Sequence, residues 1–139
     1  MLRLFGASIG AKVHIYPTAT ITMPWNLVIG DEASIGDRAI LYNLGPISIG
    51  AAATISQGAH LCAGTHDHRR SDLPLLKLPI TIDEGAWICA DAFVGPGVRI
   101  GAYAIVGARA VVMRDVDEWS ISVGNPAKVV GRRPVPLPV

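Results

Sequence analysis

Among the four histidines of this chain, His66 has the setting most suited to chemistry. It closes Cys62-Ala63-Gly64-Thr65-His66-Asp67, where small residues give way to the polar run His66 to Asp72. An imidazole titrates near about 6.5, so it can take and return a proton at neutral pH. Asp67 or a backbone carbonyl is suited to fix its tautomer. Composition alone makes such a residue a solvated loop histidine, so its meaning depends on what holds it. Cys62 and Cys89 are isolated thiols without CxxC spacing, which excludes a zinc or disulfide framework, fits a reducing compartment and reads as small packing residues.

The elements that hold His66 announce themselves by a period. Ile82, Ile88, Val94, Ile100, Val106 and Val112 fall six residues apart, with Ala86, Ala92, Val98, Ala104 and Ala110 four places after the first five. Neither a helix nor a simple strand calls for a strict six, so this is a repeat architecture. Earlier in the chain the period runs through Ile9, Ile15, Ile21, then Ile29, Ile35, Leu41, then Ile49, Ile55, Leu61, with two-residue insertions near Pro24 to Val28 and Leu44 to Ser48. Three hexapeptides make one triangular coil of short strands. The aliphatic residue points into the prism, the small one sits near a crowded corner, and coils stack by parallel strand hydrogen bonds. His60, six residues before His66, then falls on an adjacent face as a surface side chain. His14 and His68 are also read as non-catalytic, although His68 shares the loop of His66.

The pattern stops after Thr65 and resumes at Ile82. Residues 67–79 between them form an extruded loop, polar first and then apolar, and a segment leaving a rigid scaffold is a candidate functional loop. Its Leu73, Leu75, Leu76 and Leu78 should pack on something, such as a neighbouring subunit. After Val116 the pattern loosens, Gly124-Asn125-Pro126-Ala127 reads as a turn, and 131–139 read as a basic, proline-rich tail on a domain of residues 1–130.

A 139-residue chain that is 50% hydrophobic and 6% aromatic suits one domain with a core of small and β-branched side chains. Its net charge of +1 gives no reason to expect nucleic acid or an acidic membrane, although Arg69, Arg70, Arg132 and Arg133 form local clusters. No stretch is apolar for long enough to span a bilayer and Met1 to Phe5 lacks the apolar core of a signal peptide, so a cytoplasmic location is expected.

Hexapeptides such as Ile100-Gly101-Ala102-Tyr103-Ala104-Ile105 resemble those of the left-handed β-helix acyltransferases, over about Ile9 to Val130. The left hand comes from that resemblance, since parallel crossovers otherwise favour the right. Three stretches are more specific. Cys62 to Asp67 looks like the catalytic histidine segment of the galactoside and maltose O-acetyltransferase group. Gly85 to Ala90 with Val94-Gly95-Pro96-Gly97-Val98, and Val123 to Lys128, complete that group's series. With Leu41-Tyr42-Asn43 and Ile55 to Ala59, they look most like the colanic acid biosynthesis acetyltransferases. Those relatives usually carry more chain before the segment matching Leu2 to Ala7, which puts in doubt any substrate or membrane contact made there.

The resemblance implies an all-β left-handed parallel β-helix and an acetyl-CoA-dependent O-acetyltransferase acting on a carbohydrate hydroxyl, with no metal. His66 would be the general base, taking the acceptor proton as oxygen attacks the thioester and returning it to the leaving thiolate. Trp87 would wall the acceptor and pantetheine channel, or equally be a subunit-contact aromatic. The backbones of Ala90 and Ala108 match positions that bind the pantetheine arm. Arg114 and Lys128 match basic positions that meet the coenzyme phosphates, and Arg132 and Arg133 would assist, although the next basic position of the family aligns with Gly131. Asn43 lies where relatives bind the acceptor, and equally reads as an Asn in a turn before Gly45-Pro46; Asp67 would face the same substrate. Members of the superfamily are typically homotrimers with sites between subunits.

Other readings follow from the same fold. N-acetylation of an amino sugar or O-acetylation of serine would use a similar histidine. A γ-type carbonic anhydrase needs three histidine ligands, and His14 is too far from His60 and His66 to be the obvious third. An inert or ice-binding solenoid should repeat Thr or Ser along one flat face, and this chain does not.

Overall fold

A strand of two or three residues has too few hydrogen bonds to persist alone, so each strand here depends on the rungs above and below it. The computed structural model describes residues 1–139 and arranges nearly all of its strands in three parallel sheets, the faces of a triangular prism. The first face stacks Ser8–Ile9, Leu27–Ile29, Ile47–Ile49, Ile80–Ile82 and Arg99–Ile100. The second carries His14–Ile15, Ser34–Ile35, Thr54–Ile55, Trp87–Ile88, Ile105–Val106 and Ser120–Val123. The third carries Thr20–Ile21, Ile40–Tyr42, His60–Cys62, Phe93–Val94 and Val111–Val112. No helix is long and apolar enough to cross a membrane.

The aliphatic positions of the period fill the prism. Ile35, Leu41, Ile55, Leu61, Ile88, Val94, Ile100 and Val106 are wholly buried, as are the corner residues Ala33, Ala39, Ala59, Ala92, Ala104 and Ala110. Burying one such Ile or Leu stabilises by about 1.5–3 kcal/mol. Ile9, Ile15 and Ile21 are only partly buried, because no coil lies beneath them.

At two corners the turn demands a left-handed residue, and these residues stack. Between the first and second faces the column is Lys12, Glu32, Ala52, Gly85, Tyr103 and Trp119; between the second and third it includes Arg38, Gly58, Asp91 and Arg109. Gly85, at φ 64°, also lies under the ring of Tyr103, where a Cβ would come within 2.4 Å of the ring. Tyr103 in turn stacks on Trp119 at 4.5 Å.

The corner between the third and first faces takes every interruption. One insertion forms the 3-10 turn Pro24–Asn26; the other is the Asn43 to Pro46 bend. The third is the excursion of His66. It begins earlier than the sequence suggests, since Thr65–His66 already pairs antiparallel with Leu75–Leu76 in a two-stranded ribbon, and it ends at residue 79 as expected, the prism resuming at Ile80, which pairs with Ile47. His66 therefore sits on the ribbon rather than on the prism corner itself.

The C-terminus also departs from expectation. Lys128–Arg132 folds back antiparallel on Ser120–Val123, so regular structure takes in Gly131 and Arg132, the first two residues of the tail expected at 131–139.

Candidate active site

His66 is exposed, and its ring is held by one contact: Nδ1 lies 2.6 Å from the carbonyl oxygen of Leu73. A carbonyl oxygen can only accept, so Nδ1 carries the proton and Nε2 keeps its lone pair. The ribbon is built to present that carbonyl. Asp67 N donates to Pro74 O at 2.9 Å and Leu73 N to Arg70 O at 3.1 Å, and Leu73 adopts φ 44°, a costly conformation for a branched residue.

Of the two partners the sequence leaves open for His66, the carbonyl is the one found. The carboxylate of Asp67 instead accepts a fork from Arg69, with Nε to Oδ1 at 2.8 Å and Nη2 to Oδ2 at 3.0 Å. That guanidinium holds the Asp67 carboxyl below its usual range. With both oxygens engaged on its own ribbon, Asp67 braces the loop rather than facing a substrate. Arg70 makes a similar fork to Asp72, so neither arginine of this cluster is free.

Trp87 stands on the second face, 42% exposed, with its indole Nε1 donating to Ser56 Oγ at 2.9 Å. Ala90 and Ala108 follow on successive rungs of the corner between the second and third faces, where Arg109 N donates to Ala90 O at 2.9 Å. The N–H of Ala90 and both backbone groups of Ala108 make no hydrogen bond within the chain, so they are open to an amide-bearing ligand. Lys128 opposes Val123 close to this corner, exposed. Arg132 opposes Ser120 at the other end of its strand, about 13 Å away at the usual rise. Arg114 is exposed on the third corner, which it shares with the ribbon of His66. The chain thus gathers Ala90, Ala108 and Lys128 at one corner, and His66 and Arg114 at another.

Two expectations need correction. Asn43 is fully buried: its Oδ1 accepts from Thr22 N at 3.1 Å and Met23 N at 2.9 Å, and its Nδ2 donates to Met23 O at 2.6 Å. It ties two coils together and, being fully buried, presents no side-chain group to an acceptor. His60 is not a solvated surface residue; it packs edge-on against Phe93 at 5.2 Å, and its buried Nε2 has no partner. Burial pushes its pKa below the ordinary imidazole value. Burial likewise raises the thiol of Cys89 beside Ala90, so it is not an activated thiolate. Arg133, grouped in the sequence with Arg132, instead donates to Gly85 O at 2.9 Å and Tyr103 O at 3.3 Å, locking the C-terminal strand onto the prism. No spacing in the sequence announces that contact.

Residues 79–114 match the family model described as bacterial transferase hexapeptide (six repeats). The chain is 47% identical over 133 residues to the Escherichia coli protein named putative colanic acid biosynthesis acetyltransferase WcaF, covering 96% of this chain and 73% of that one. Its fold superposes on a hexapeptide-repeat acetyltransferase from Vibrio cholerae, solved with acetyl coenzyme A, at a TM-score of 0.90 and 26% identity, covering 96% and 75% of the two chains. A maltose O-acetyltransferase from Clostridium difficile shares the fold at a TM-score of 0.87 and 22% identity, covering 96% and 73%. The chain belongs to the hexapeptide-repeat acetyltransferases, and its prism is their left-handed β-helix. It is an acyltransferase.

Proposed function

We propose that the chain transfers an acetyl group from acetyl-CoA directly to a hydroxyl of a sugar or polysaccharide precursor, with His66 as general base. The observation that carries this reading is the 2.6 Å contact of Nδ1 with Leu73 O, because it leaves Nε2 as the acceptor of a proton. Nε2 takes the proton of the acceptor hydroxyl as its oxygen attacks the thioester carbonyl. The same proton then goes to the departing thiolate. No covalent enzyme intermediate is required, in keeping with the raised thiol of Cys89.

The open amides at Ala90 and Ala108 suit the two amide groups of a pantetheine arm lying along the corner. Lys128, Arg114 and Arg132 are exposed cations suited to its phosphates. Trp87 forms the wall at the reacting end. Since His66 lies at a different corner of the prism from Ala90 and Ala108, a complete site takes the histidine from one subunit and the face of Trp87 with its corner from the next. A cyclic homotrimer closes such head-to-tail contacts, and it gives Leu73, Leu75 and Leu78, all exposed in one chain, a surface to cover. We also assign residues 1–130 to the catalytic prism, with Gly131 and Arg132 completing its last strand.

The test is thiol release from acetyl-CoA with matched hydroxyl and amine sugars as acceptors. Turnover with hydroxyl acceptors supports the reading; turnover confined to amino groups would replace it by N-acetylation.

A further inference from the structure

A groove of about 540 Å³, lined mostly by hydrophilic residues, runs along the second face away from Trp87, toward the N-terminal coil. Its floor is a ladder in strict register: Trp87 pairs with Thr54, Thr54 with Ser34, and Ser34 with His14. Rungs about 4.8 Å apart make this ladder about 14 Å long, close to the length of three hexose rings. Tyr16 closes the far end, 46% exposed, its ring met edge-on by His14 at 5.1 Å. Trp87 stands one rung beyond the near end, its indole donating to Ser56 of the lining.

Between these two aromatic ends lie hydroxyls, the amide of Gln57 and the carboxylate of Asp37, with no lysine or arginine in the lining. The Asp37 carboxylate is paired with Arg38, so the lining carries no free anion or cation of its own and offers donors and acceptors to a neutral, hydroxyl-rich chain. Exposed aromatic faces at both ends suit the apolar C–H faces of sugar rings. We propose that this groove is an extended acceptor subsite, so that the substrate is a neutral oligosaccharide or glycan chain whose far residues rest on Tyr16 and His14. The proposal rests on the acetyl-transfer reading, in which Trp87 borders the reacting hydroxyl. Binding at the far end contributes to positioning the reacting one, so truncated acceptors lose turnover as well as affinity.

The experiment measures equilibrium binding and acetylation of neutral α- and β-linked gluco-oligosaccharides, from mono- to tetrasaccharide, by the intact protein and by Tyr16→Ala and Tyr16→Phe. Thermal melting confirms that each variant folds. Affinity of the natural chain rises with length up to the trisaccharide; Tyr16→Ala removes roughly a tenfold part of that gain and Tyr16→Phe keeps it. Acetylation without dependence on acceptor length or on Tyr16 overturns the groove and leaves the acetyl-transfer reading standing. Length- and Tyr16-dependent binding without acetylation of any member keeps the groove and refutes the reaction. Absence of binding to every oligosaccharide overturns the groove.

Discussion

His66 and Leu73 are joined across the ribbon by a single short contact from imidazole Nδ1 to carbonyl oxygen. Its donor and acceptor are seven residues apart, and the backbone at Leu73 that presents the carbonyl is left-handed, at φ 44°. The ribbon thereby fixes the tautomer of an exposed ring through a main-chain group that no side-chain substitution removes.

Asn43 is a structural residue, and its replacement separates stability from catalysis. Asn43→Ala removes the partner of Met23 N, while Thr22 N keeps its bond to Leu41 O and Met23 O keeps its bond from Asn26 N. The expected loss is about 1–3 kcal/mol for the group left unsatisfied, read by chemical denaturation. The acceptor KM of the folded fraction stays unchanged; a selective rise in KM at unchanged stability would return Asn43 to the substrate site.

Gly85 tolerates no side chain. Gly85→Ala meets the Tyr103 ring, which is held against Trp119, and must also adopt φ 64°. Destabilisation of more than about 1 kcal/mol follows, seen as a lowered Tm. An unchanged Tm would mean that the stacked corner is soft.

His60 makes the fold sensitive to mild acid. Burial lowers its folded pKa, so on acidification the unfolded chain takes the proton first. The contribution to stability is intact above the unfolded value near about 6.5 and is lost as pH falls below it. Tm should drop more between pH 8 and pH 5.5 for the natural chain than for His60→Phe. Parallel Tm curves would refute this role.

Much of the prism was legible because it depends on a local rule. An aliphatic residue every sixth place, followed by a small one, is enough to identify Ile88 as core and Ala92 as corner. The contacts of the site depend instead on residues brought together by stacking. His60 meets Phe93 one coil above, across the ribbon, and Asn43 meets Met23 one coil below, across an insertion. Ribbon residues such as Leu73 follow no period at all. The family motif carried His66, Trp87 and the cations, but not the direction in which Asp67 and Arg133 turn.

A site shared between subunits can be restored by mixing two inactive chains. His66→Ala lacks the base, and Ala108→Trp fills the corner proposed for the pantetheine arm. Refolded together in equal amounts, they should regain about a quarter of the natural activity, because random assembly of a cyclic trimer pairs an intact His66 with an intact corner in that share of interfaces. No recovery would place the whole site within one chain.

The central claim is that His66 removes the acceptor proton. Thiol release from acetyl-CoA at saturating acceptor should fall by about 10²- to 10⁴-fold in His66→Ala, with its melting temperature and coenzyme affinity retained. Turnover by His66→Ala equal to that of the natural chain would contradict the account.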